Sequence, residues 1–117
     1  MAFKFEKLEV WKRALELSRR IHEITLKFPK AEAFILVPQI QRAADSIVLN
    51  IAEGCTGQTN PEFRQFLGYA IRSTVEVAGC LYLAQSRGII TSNDFEPLYN
   101  ETEEIVKMLQ SLRKSIG

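Results

Sequence analysis

The chain has 117 residues, enough for one domain that buries a core without disulfides or metal. With 46% apolar and 25% charged residues it has ordinary globular usage, which excludes a disordered chain or a lone coiled coil. A formal net charge of +1 creates no global field to select a partner, so any nucleic-acid contact requires a local basic face.

The opening segment, Ala2-Phe3-Lys4-Phe5-Glu6-Lys7, is interrupted at once by charge and carries no apolar signal region. The longest uncharged helical run, Val77 to Ser86, is far too short to span a bilayer. The expectation is a cytoplasmic protein with no membrane partner, whose Cys55 and Cys80 are reduced thiols without metal-ligand spacing.

Four apolar-periodic stretches predict helices over residues 8–28, 37–54, 60–87 and 93–115 within a single domain, 1–117. In the first, Val10, Ala14, Leu17, Ile21, Ile24 and Phe28 repeat at spacings of three and four, and Pro29 ends the run. A second stripe, Leu8, Trp11, Leu15, Ser18, His22 and Leu26, lies about 130° around the axis. It fits either a wide apolar flank or a subunit interface with Trp11 and Leu15 as anchors. The polar face holds Lys12, Arg13, Arg19, Arg20 and Lys27, diluted by Glu16 and Glu23. These five cations are the nucleic-acid-binding candidates; the competing reading is a solvated face with internal Glu/Lys pairing.

The second stretch carries Ile40, Ala43, Ala44, Ile47 and Ile51 on its core side. Pro38 suits its first turn, Val37 is a poor cap, so the start is expected to fray or be pinned by apolar contact, and Gly54 reads as its C-terminal stop. Beside the core stripe run Gln39, Arg42, Ser46, Asn50 and Glu53, spaced so that each reaches the next. This polar seam is expected to fix bundle register, with a ligand contact as the alternative.

The third stretch opens on Asn60-Pro61-Glu62, read as cap, first-position proline and an acid at the positive helix end. Phe63, Leu67, Ala70, Thr74, Val77, Leu81 and Ala84 form its core stripe, and Arg87-Gly88 its stop. A second line, Gly68, Arg72, Val75, Gly79 and Tyr82, runs along another side. A glycine inside a helix costs about 1 kcal/mol against alanine, so two on one line suggest close approach of another backbone. Together with Trp11 and Leu15 this line supplies the oligomer-interface candidates. The fourth stretch starts near Ser92-Asn93-Asp94, places Pro97 in its first turn, and carries Phe95, Leu98, Thr102, Ile105, Leu109, Leu112 and Ile116. Short connections make successive helices antiparallel, so the expected fold is all-α, an up-down-up-down four-helix bundle.

Catalytic machinery is not apparent. His22 has no partner at helical ligand spacing, the cysteines and serines have no evident base, and no phosphate-cradling glycine loop occurs. The chain is therefore read as a non-enzyme with no cofactor and no metal.

Several runs resemble one family. They are Leu8-Glu9-Val10-Trp11-Lys12 with Ala14, Phe28-Pro29 with Glu32, and Gln39-Ile40-Gln41-Arg42-Ala43-Ala44. Ser46-Ile47, Asn50-Ile51-Ala52-Glu53-Gly54, Glu62-Phe63, Phe66-Leu67, Ala70, Ser73 and Glu76 complete the set. The combination resembles the four-helix-bundle proteins encoded by intervening sequences in bacterial 23S rRNA genes. The chain departs from that pattern at Ile35-Leu36-Val37, at Gln58 and at Arg72. The resemblance implies a bundle, ring-like pentamers, and no established enzymatic activity. It extends to accessory proteins of diversity-generating retroelements, which bind a reverse transcriptase and nucleic acid through basic surface. The resulting expectation is a homo-oligomeric binding or adaptor protein for RNA, DNA or a nucleic-acid enzyme. The alternative is a structural protein–protein module with no nucleic-acid role.

Overall fold

In the computed structural model, which describes residues 2–57 and 59–116, the chain forms four helices. These are α1 (Glu9–Thr25), α2 (Leu36–Gly54), α3 (Asn60–Ser86) and α4 (Ser92–Ser115), with 3-10 turns at Lys4–Lys7 and Lys30–Glu32. Met1, Gln58 and Gly117 lie outside the described residues. Successive helices pack on one another and α1 closes against α4, giving the all-α bundle expected, 44 × 22 × 22 Å.

The inward stripes are those the periodicity marks. Ala14, Leu17, Ile21, Ile40, Ala44, Ile47, Ile51, Leu67, Ala70, Val77, Leu81, Ile105 and Leu109 are fully buried. Leu36, Cys80 and Ile90 join them from outside the predicted stripes. Leu36 explains how α2 begins without a capping side chain: its N-cap, Ile35, makes no side-chain bond, and the buried Leu36 pins the first turn instead. Pro38, third in α2, loses nothing there, because first-turn N–H groups have no helical partner.

Three helix ends differ from expectation. The α-helical part of α1 stops at Thr25, not Phe28, and the next three residues tighten into i→i−3 turns before Pro29. The cap of α3 is Thr59, whose hydroxyl accepts from Glu62 N at 3.2 Å, which puts Asn60 and Pro61 inside the helix. Thr91 caps α4 in the same way through Asp94 N at 3.3 Å. Pro97 consequently sits one full turn into α4 and not in its first turn. At the end of α3 the expected glycine stop is present: Gly88 has φ +69°, Ile89 N donates to Ala84 O at 2.8 Å and Gly88 N to Gln85 O at 3.0 Å. A salt bridge from Arg87 to Glu32, 3.1 Å, ties the α1–α2 connection to that end.

Gly54 has a different purpose from the one its position suggests. Its backbone is not left-handed; Gly57, in the following turn, takes φ +84°. A β-carbon on Gly54 would lie 2.9 Å from Phe66 Cβ and 3.1 Å from the Phe63 ring. The glycine is therefore required by the approach of α3, and α2–α3 is the most extensive helix contact. By contrast nothing lies within 4 Å of a β-carbon on Gly79. Gly54→Ala is expected to lower stability by about 1–3 kcal/mol through overpacking. Gly79→Ala should raise it by up to about 1 kcal/mol. Urea unfolding of both variants in dilute solution checks the opposite signs.

Candidate binding surfaces

The five cations of α1 do not form an open basic face. Arg13 turns toward α4 and grips Glu101 with two bonds, Nη2 to Oε1 at 2.6 Å and Nε to Oε2 at 2.9 Å, with Glu104 at 4.0 Å. The Glu101 hydrogen bond raises the guanidinium pKa further, so the charge is fixed and matched. Arg19 bonds Glu16 at 2.7 Å and Glu23 at 3.1 Å along its own helix. Lys12 lies 4.0 Å from Glu9. Arg20 and Lys27 line a small hollow whose wall also contains Glu23 and Asp94. Lys12, Arg13 and Arg19 thus each have a carboxylate within 4.0 Å, whereas Arg20 and Lys27 share only the lining of that hollow with Glu23 and Asp94.

The polar seam is half formed. Ser46 and Asn50 meet as expected: Asn50 Nδ2 donates to both Ser46 O and Ser46 Oγ at 2.9 Å. The link to α3 is Ser73, whose hydroxyl donates to Ser46 Oγ at 2.9 Å. Arg42 bonds Pro38 O at 3.3 Å and not Ser46, because an exposed guanidinium folds back along its own helix. Gln39 and Glu53 are exposed. Gln39 and Arg42 share the rim of a hollow between α2 and α3 with Glu76.

The second stripe of α1 is largely spent inside the chain. Trp11 packs beneath Phe5 of the N-terminal turn, ring centroids 4.8 Å apart, and its Nε1 is buried with no hydrogen-bond partner among the described residues. Its indole is therefore not an open anchor, whereas Leu15 remains exposed. Farther along, Ser18 donates to Asp45 Oδ1 at 2.6 Å and His22 Nε2 lies 3.0 Å from the same oxygen. An acidic partner for His22 therefore exists, contributed by α2. Serine, aspartate and histidine meet here in the wrong order for a nucleophilic triad: the carboxylate sits between the other two, so the His22 imidazole is not the hydroxyl's partner. Among the described residues no group of three or more His, Cys, Asp or Glu could hold a metal ion. Both cysteines are free. Burial pushes the Cys80 thiol up to about 11 and raises Cys55 as well, against the opposing charge of Lys4.

The outer line of α3 divides into two halves. In the first, Gly68 is covered, not by another backbone but by the Arg113 side chain of α4. A β-carbon there would meet Arg113 Nη2 at 3.5 Å, and Arg113 Nε donates to Arg64 O at 3.1 Å. Arg64, Gln110, Arg113 and Lys114 surround one hollow; Gln65, Gly68, Tyr69, Ile71, Arg72 and Arg113 surround the next. The sequence reading missed this cluster. Its signal is Arg64, Gly68 and Arg72 at spacings of four, lying alongside the C-terminal turn of an antiparallel α4. In the second half, Val75 is 57% exposed, Tyr82 52% and Leu83 42%, with the bare Gly79 among them. Val75, Gly79 and Tyr82 border a mainly apolar groove of about 540 Å³ between α3 and α4, walled by Ala78, Tyr99 and Val106 and lined also by Glu103 and Lys107.

Fold and surfaces together define an antiparallel helical bundle whose distinctive features are outward faces, with no catalytic set assembled among the described residues. The chain belongs to the 23S rRNA-intervening sequence protein family, whose model matches residues 6–111. It is also similar to a crystal structure of a protein of unknown function from the S23 ribosomal protein family of Bacteroides thetaiotaomicron. That likeness has a TM-score of 0.81 at 29% identity, over 90% of this chain and 98% of the other. The comparison with curated proteins finds no match. No helix among the described residues is long and apolar enough to cross a membrane.

Two outcomes are expected. Asn50→Ala should cost about 1 kcal/mol, since it strips the seam of a half-buried amide that makes two bonds; denaturant unfolding measures it. With its pKa near 11, Cys80 at pH 8 holds about one thiolate per thousand molecules. Its alkylation by iodoacetamide, followed by peptide mass mapping, should therefore run at least about a hundredfold slower than that of a free cysteine.

Proposed function

We propose that this chain is a self-assembling, non-enzymatic binding module, joined to copies of itself through the second half of the outer α3 line. The observation that carries this reading is the ridge of Val75, Tyr82 and Leu83 beside the apolar α3–α4 groove, with Gly79 leaving room for a second backbone. An exposed apolar ridge and a groove of matching character are two complementary patches on one subunit, the kind that a ring joins head to tail. A closed ring, five-membered as the resemblance suggests, would repeat every outward surface once per subunit. Weak contacts to one extended partner then add by avidity. The finer reading is that this partner is nucleic acid, or an enzyme that acts on it.

A structural module without a nucleic-acid role is the second reading, and one observation favours it: three of the five α1 cations, Lys12, Arg13 and Arg19, each stand beside a carboxylate. Phosphates would have to displace those partners.

The wild-type protein is expected to sediment as a single oligomer at micromolar concentration. Val75→Glu with Tyr82→Glu should yield folded monomer, with unchanged helical circular dichroism and the mass of one chain by light scattering. A wild-type monomer at that concentration ends the assembly reading.

A further inference from the structure

We propose that the cluster formed by Arg64, Arg72, Arg113 and Lys114, with Tyr69 beside it, is a docking site for single-stranded nucleic acid. This rests on the nucleic-acid half of the function proposed above and moves the contact from α1 to the joined ends of α3 and α4.

Four cations from two helices line two adjoining hollows of about 400 and 330 Å³, and no carboxylate lines either. Arg113 is common to both. Its guanidinium lies over Gly68, 3.5 Å from where a β-carbon would stand, and its Nε donates to Arg64 O at 3.1 Å. Among the described residues, none of the four enters a salt bridge, in contrast to Arg13, Arg19 and Arg87. The helix dipole accounts for Arg113 and Lys114, which sit at the negative end of α4. It does not account for Arg64, which lies near the positive end of α3, where the dipole favours an acid. Like charges gathered without counter-charge repel one another, and an anion relieves them. Guanidinium groups are suited to that anion being a phosphate, through paired N–H donors.

Tyr69 narrows the class. It is 40% exposed, lines the same hollow as Arg72 and Arg113, and is oriented by Gln65 Nε2 on its hydroxyl at 2.6 Å and by the Phe66 ring at 5.6 Å. A pre-positioned aromatic face beside phosphate-binding cations is the arrangement that stacks an unpaired base while the backbone is neutralised. A base in a duplex cannot reach it.

The test uses the intact protein and a fluorescein-labelled, mixed-sequence, 20-nucleotide single-stranded RNA, with fluorescence anisotropy at several salt concentrations. Binding should weaken with salt by about 0.7 log units per log unit for each neutralised phosphate, or about 3 for four contacts. Arg72→Gln with Lys114→Gln should flatten that slope by about 1.4, and Tyr69→Ala should weaken binding about tenfold. A triple variant of α1, Lys12→Gln, Arg20→Gln and Lys27→Gln, should bind as wild type does. Arg72 and Lys114 are exposed and carry no fold contact used above, and unchanged melting and sedimentation of each variant confirm that the subunit and its assembly are intact. If wild-type protein ignores the RNA at low salt, the nucleic-acid reading falls and this site with it. If wild type binds but only the α1 variant loses affinity, the function stands and this site is wrong. Loss of assembly on Arg72→Gln would assign Arg72 to the subunit interface and overturn the site. So would equal affinity for the matching duplex, or for polyglutamate of the same charge.

Discussion

The close approach of α2 to α3 is the constraint on which the other features depend. At its end Gly54 admits Phe63 and Phe66, where any β-carbon would collide. Along its length Ser46 and Ser73 meet at 2.9 Å, a contact that requires small side chains on both helices. Two fixed points on one helix pair determine both rotation and axial position. Once Phe63 and Phe66 are seated on Gly54, helical periodicity turns Leu67, Ala70, Thr74, Val77 and Leu81 inward. The same rotation brings Gly68, Val75 and Gly79 to the flank that borders α4. The outward surfaces of α3 are thus a consequence of how its inward face is locked.

The other helix contacts are held differently. α1 meets α4 only thinly, and the contact is bordered by the two-pronged Arg13–Glu101 pair. α1 meets α2 through an apolar centre whose edge is polar, with Asp45 receiving Ser18 and Gln41 Nε2 donating to Thr25 Oγ1 at 2.9 Å. Partly exposed pairs of this kind contribute about 1 kcal/mol or less each, so apolar burial supplies the stability and the charges select the arrangement. This use of Arg13 also bears on function. A guanidinium held by a carboxylate at 2.6 Å presents little field to an incoming phosphate, so the helix with the most arginines by sequence is not the most cationic surface.

Much of the bundle was legible in the sequence because a buried helical stripe has a period of 3.6 residues and Pro or Gly at its ends. The core stripes from Val10 to Leu109 lie where the spacing puts them. Caps slipped by one residue because Thr59-Asn60 and Thr91-Ser92 each offer two capping side chains in succession, and local pattern does not choose between them. The surfaces were much less legible. Arg13 and Glu101 are 88 residues apart, and nothing in the spacing of α1 reveals that its charge is taken. Gly54, Gly68 and Gly79 are alike as letters, yet one faces two phenylalanines, one an arginine and one open space. Which of these a helical glycine meets is decided by another helix.

The two halves of the outer α3 line make different physical demands, and their separation lets one helix meet both. Gly68 and Gly79 are 11 residues apart, or about 16 Å along the axis. Apolar residues exposed around Gly79 gain by being covered, while cations around Gly68 gain by staying in reach of solvent and anions. Association through the Gly79 half would remove the first surface from water without burying the second. Each added subunit would then bring one more unpaired cluster of Arg64, Arg72, Arg113 and Lys114 to the rim. A chain with net charge +1 could in this way present a strong local positive potential, because its compensating carboxylates are tied up elsewhere, on α1 and along α4.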